Sequence, residues 1–126
     1  MSIEALIVEL SHDPFEPIKN FVVAQEYERR NQISSAVTFY LRTAEYGYNI
    51  SPNSTYLSLL KLAHCFEEQN DRIHTVSNCL LQALAYSPYR PEAYWLLSKF
   101  YERTGQWQES YTFATLGLKH KGDPEP

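Results

Sequence analysis

Residues 91–107 read PEAYWLLSKFYERTGQW, and this stretch decides the fold. Tyr94, Leu97, Ser98 and Tyr101 recur at three and four, the spacing of one face of an α-helix, and Gly105 marks where that helix stops. A second helical segment opens at Trp107 and carries its small residues, Ser110 and Gly117, at helical spacing. Two helices joined by so short a turn make an antiparallel hairpin.

Working outward, the same hairpin recurs. Ala24, Ala63 and Ser98 lie 39 and 35 residues apart, and Tyr27, Phe66 and Tyr101 repeat those intervals. On the second helices Ala36, Val76 and Ser110 recur at 40 and 34, in register with Tyr40, Leu80, Ala114 and with Thr43, Ala83, Gly117. The length changes fall in the turn near Asn70 and Asp71 and in the loop from Tyr48 to Ser54, where insertions are tolerated. Pro14, Pro17, Pro52, Pro88 and Pro91 sit at the seams. The expected architecture is all-α, with helices near residues 3–11, 18–30, 33–46, 55–69, 72–86, 91–104 and 107–120. Six of them form three stacked hairpins, an α-solenoid, and the stripe of Ile3, Leu6, Ile7 and Leu10 suits the first either to cap the first hairpin or to occupy the groove of this chain or of a second subunit.

A period of about 34 residues, built from helix pairs in which small and aromatic positions alternate, resembles the tetratricopeptide repeat (TPR) family. That family's aromatic, Leu, small, Tyr and turn-Gly positions match Tyr94, Leu97, Ser98, Tyr101 and Gly105, and its next small positions match Ser110 and Gly117. The sequence departs from the pattern at Asn20, where an aromatic or Leu is usual, at Asn31 and Asn70 in place of the turn Gly, and at Val76 in place of Ala. Asn tolerates the left-handed conformation, so the turns are expected to survive. The resemblance implies one domain over 1–126, comprising a capping helix at 1–12, repeats at 17–50, 55–88 and 91–121, and a tail at 122–126.

The resemblance also implies a function class. First helices of such repeats line a concave surface that receives a protein or peptide segment. By the family register this groove is lined by Phe21, Gln25 and Arg29, then Leu60, Lys61 and His64, then Trp95, Lys99 and Arg103. Phe21, Leu60 and Trp95 hold equivalent places and are expected to form an apolar stripe. The family's basic clamp for acidic C-terminal peptides is not matched, because Phe21, Gln25, His64, Glu92 and Leu96 stand at those places; a mainly apolar ligand is expected. A narrower similarity, over Arg90–Tyr94 and Gly105–Ala114, is to helical segments that accompany glycosyltransferase domains in some bacterial and viral proteins. It implies an accessory role as an alternative.

Composition narrows the field further. A chain of 126 residues with 44% hydrophobic residues supports one core and excludes most large enzyme folds. Eleven Lys and Arg against fifteen Asp and Glu give a net charge of −4, the wrong sign for a nucleic-acid partner. No run approaches the roughly 18 apolar residues of a membrane span, and the first residues lack a basic leader, so a cytoplasmic protein without membrane contact is expected. Ser11-His12-Asp13 has the residue types of a catalytic triad, but contiguous residues cannot align nucleophile, base and orienting acid. His64, Cys65, His74 and Cys79 match no zinc-ligand spacing. No enzyme activity, cofactor or metal is therefore expected. The last helix has apolar residues on two faces, and Trp107, Phe113 and Leu116 form a candidate oligomer interface, giving a homodimer or a subunit of a larger assembly.

Overall fold

The computed structural model describes residues 2–69 and 72–120. The turn residues Asn70 and Asp71 and the tail 122–126 lie outside the described residues. Among the described residues there are seven α-helices and no strand: α1 (Ile3–Ser11), α2 (Pro17–Arg29), α3 (Ile33–Gly47), α4 (Pro52–Glu67), α5 (Ile73–Tyr86), α6 (Glu92–Arg103) and α7 (Trp107–His120). The all-α expectation holds, with most helix ends within one residue of those expected. The largest shift is at α4, which starts at Pro52 rather than near 55. Proline is pre-set for the first helical position, so Pro52 extends the helix instead of preceding it.

The helices pack in chain order, α2 on α3, α3 on α4, α4 on α5 and α6 on α7, with α1 lying on α2. The meeting of α5 with α6 is less extensive than that of α3 with α4. Small residues set the close approaches. Ala24 and Ala36 are fully buried between α2 and α3. Between α6 and α7, Ser98 Oγ donates to the Ser110 carbonyl at 2.9 Å and Ser110 Oγ donates back to the Ser98 carbonyl at 2.9 Å, which larger side chains would prevent.

The first and third hairpins close identically. Asn31 N–H donates to the Glu28 carbonyl and Gln32 N–H to that of Tyr27; Gly105 N–H donates to Glu102 and Gln106 N–H to Tyr101. This is the two-bond cap that needs a left-handed residue, and Asn31 (φ 59°) and Gly105 (φ 77°) supply it. Tyr27 stacks on Phe39 at 5.6 Å and Tyr101 on Phe113 at 5.5 Å, the same ring pair in both hairpins.

Tyr40, Tyr56, Leu59, Leu62 and Cys65 form the middle of a core that runs on through Ala63, Val76, Leu80, Leu97 and Phe100. Each large side chain so buried contributes about 1.5–3 kcal/mol. Two buried hydroxyls tie helices together as well as filling space. Tyr40 Oη donates to Glu28 Oε1 at 2.6 Å, and Tyr56 Oη accepts the Ala93 N–H at 3.1 Å, at the start of α6. Asn20, out of pattern for an aromatic position, is fully buried for a reason. Its amide donates to the carbonyls of Pro14 and Glu16, and its Oδ1 accepts from Arg42 Nε at 2.9 Å, fastening the α1–α2 loop to α3.

Candidate functional site

The face made by α2, α4 and α6 carries the nine residues expected to line a groove, and the structure divides them. Phe21 does not stand free, because its ring packs edge-on against Tyr40 at 5.6 Å. Leu60 is wedged against both parts of the core. Residues at the margin of a buried helix stripe turn inward wherever a neighbouring helix leaves room, and here α3 and α5 do. Trp95 is the exposed member of the three, 39% accessible, with Leu96 beside it at 39%. The Trp95 indole also lies across α7, close to Gly117.

The remaining six are polar, and most of them lie beside acidic side chains. Gln25, Arg29 and Lys61 surround a hollow of about 340 Å³ together with Glu28. Arg29 and Arg30 both donate to Glu26 Oε1, at 2.6 and 2.9 Å, and these hydrogen bonds pull the Glu26 carboxyl down to about 2. His64 Nε2 lies 3.7 Å from carboxylates of Glu28 and Glu68. Arg103 donates to Glu67 Oε1 at 2.8 Å, joining α6 to the end of α4, while Lys99 is exposed. Of the expected apolar stripe only Trp95 is exposed, with Leu96 beside it; Ile18 and Val22 are exposed on α2, and polar side chains surround the hollow between α2 and α4.

The main hollow, about 930 Å³, opens on the opposite face. Its floor is α4, through Thr55, Leu59, Leu62 and Phe66, and its walls are α3 and α5. The sequence held a signal for it. Counting by the intervals of the second helices, Cys79 is the counterpart of Phe39 and Phe113. In the other two hairpins a phenyl ring stacks on the preceding Tyr, whereas here the small thiol leaves space beside Phe66, which lines the hollow with the Arg72 guanidinium over its ring at 5.8 Å.

On α7 the three residues expected to form an interface also part company. Phe113 is stacked on Tyr101 and half-buried, and Leu116 is half-buried. Trp107 is 67% exposed and shares its stripe with Tyr111 at 75% and Leu118 at 62%. The outward face of α7 is therefore the Trp107, Tyr111, Leu118 stripe.

Among the described residues no three His, Cys, Asp or Glu side chains gather as metal ligands would, and no helix is long and apolar enough to cross a membrane. Ser11 Oγ donates to the Val8 carbonyl at 2.6 Å, so the Ser-His-Asp run closes helix α1 and forms no relay. Both cysteines are free thiols. Burial pushes Cys65 up to about 12 and raises Cys79 as well, which opposes thiolate chemistry.

This stacking of helices is shared with solved structures. MamA MSR-1 C2 superposes with a TM-score of 0.71 at 16% identity, over 94% of this chain and 65% of that one. MamA AMB-1 P212121 gives 0.71 at 15% identity, over 98% of this chain and 64% of that one. The likeness is one of fold, a helical solenoid. The chain spans less than two thirds of the length of either MamA chain. No protein-family model matches the sequence, and no curated protein matches it.

Proposed function

We propose that the chain is a non-catalytic TPR-like adaptor of three repeats, 17–50, 55–88 and 91–121, which binds a segment of another protein on the face of α2, α4 and α6. The observation carrying this reading is the exposed Trp95–Leu96 pair, set on a rigid helix and flanked by Lys99 and Arg103. Exposed aromatic anchors of this kind supply much of the energy of protein interfaces. The polar groups between α2 and α4, Gln25, Arg29, Lys61 and His64, would orient the segment. In this reading the protein works in the cytoplasm without cofactor, metal, membrane or nucleic acid. Affinity capture from the native cell tests it: Trp95→Ala should lose the partner while circular dichroism stays unchanged. Equal recovery by the variant rejects the reading.

A second reading, self-association, is favoured by the Trp107, Tyr111, Leu118 stripe, because a contiguous apolar helix face is a liability in water unless covered. Light scattering should give a dimer mass for the natural chain and a monomer for Tyr111→Glu with Leu118→Glu. A monomer mass for both discards it.

A further inference from the structure

The hollow over α4 is a trough with a chemical polarity. The buried Leu59 and Leu62 lie at its floor, Leu41 stands 51% exposed on its α3 wall, and Phe66 is half-buried at one end. The other end is closed by aromatic rings. Tyr86 Oη donates to the Tyr48 carbonyl, and the two rings meet edge-on at 4.9 Å. Glu45, one turn before Tyr48 on α3, lines the same end.

Three sources of negative potential coincide there. The first is the Glu45 carboxylate. The second is the π-faces of the tyrosines, which attract ammonium and guanidinium groups. The third is the pair of helix C-termini, because α3 ends at Gly47 and α5 at Tyr86 and neither has a basic residue in its last turn to offset its dipole; the N-terminus of α4 at Pro52 counters one of the two and leaves one in excess. Among the described residues no Lys or Arg lines the trough. Arg90, on the loop after α5, is turned to the other side of α4, over the Tyr56 ring at 4.2 Å and hydrogen-bonded to Asn53 and Glu92. Arg72 lies over the Phe66 ring at 5.8 Å, at the opposite end.

We propose that this trough is a docking site for a basic amphipathic helix of another polypeptide. Its apolar side chains would rest on Leu41 and Phe66, above the buried Leu59 and Leu62, and a Lys or Arg would reach the Glu45, Tyr48, Tyr86 end. The length fits, since the walls are helices of 15 and 14 residues and a docked helix lies along such a groove. The charge fits too, because an acidic or neutral apolar helix would bring nothing to the carboxylate and the excess dipole end. The site is separate from the α2, α4, α6 face and does not depend on the reading of that face.

Cys79 lines the trough and Cys65 is buried, so the protein carries its own reporter. The full chain is treated with N-ethylmaleimide at a mildly alkaline pH of about 8.5, to offset the raised Cys79 thiol, and the modification of Cys79 is followed by mass spectrometry. The probe is a Leu/Lys amphipathic helical peptide of about 14 residues, set against its Leu/Glu counterpart. At about ten times its Kd the Leu/Lys peptide should slow labelling about tenfold, and the Leu/Glu peptide should not. Glu45→Lys should abolish the protection, while Glu109→Lys on α7, with the same change in net charge, and Trp95→Ala should retain it. Equal protection by both peptides, no protection by either, or protection that survives Glu45→Lys overturns the proposal. Protection that instead rises with protein concentration alone would assign the trough to a second copy of this chain and overturn it equally.

Discussion

Asn20 shows how a residue that breaks a repeat pattern can be the better choice at its position. An aromatic or Leu side chain there would bury more apolar surface, but it would remove the amide that donates to the Pro14 and Glu16 carbonyls and accepts from Arg42 Nε, leaving only the direct Arg42 Nη2 to Pro14 carbonyl bond at 3.0 Å. Losing hydrogen bonds to a charged group and stranding their partners costs about 1–3 kcal/mol, comparable to what a buried Leu contributes. Asn20→Leu is expected to lose stability by about 1–2 kcal/mol in urea denaturation despite restoring the residue usual in the repeat the sequence resembles. The buried hydroxyl and thiol of the core make a second residue-level prediction. Burial pushes Tyr56 up to about 12 from 10.0 and Cys65 up to about 12 from 9.0. A raised folded value means the stabilisation is complete below the unfolded value and is lost as pH climbs through the folded one. The urea midpoint should therefore be flat near neutrality and fall between pH 9 and 12, with a shallower fall in Tyr56→Phe.

Between elements, the seams depend on residues that let backbones touch. Gly47 ends α3 where the starts of α2 and α4 converge, and a Cβ there would lie 2.9 Å from Thr55 Oγ1 and 3.2 Å from Pro17 Cβ. Ala in place of Gly gains about 1 kcal/mol of helix propensity, but moving a buried, hydrogen-bonded Thr costs about 1–3 kcal/mol. Gly47→Ala should be destabilising on balance, measured as a lower thermal midpoint, whereas the same change in an exposed helix interior would be stabilising. The turns show what was readable in advance. Asn31 was legible as a left-handed cap from its residue type and its place in the repeat, and its φ of 59° matches. The inward packing of Phe21 was not legible, because periodicity puts a side chain on the margin of a buried stripe without saying whether a neighbouring ring has room to receive it.

At the scale of the whole molecule, stability in a stack of hairpins is passed between neighbours, so a thin junction becomes a weak point. Here α6 meets α5 less extensively than α4 meets α3, and the Tyr56–Ala93 and Arg103–Glu67 hydrogen bonds help to hold the last hairpin on. Amides of α6 and α7 should exchange with solvent faster than those of α3 and α4, and Tyr56→Phe should widen the gap. Equal protection throughout would mean that the stack opens as one unit.

The sequence by itself determined the helices, their pairing and the small positions at their contacts, because these follow from periods of three and four residues and from a repeat that restates them. It also placed Tyr94 in the core and Trp95 outside it, a rotation of about 100° along one helix. Which surface is hollow was decided only by the tertiary structure. A hollow depends on how far two helices stand apart over a third, and that distance is set by every side chain between them, as where Cys79 takes the place of a phenyl ring.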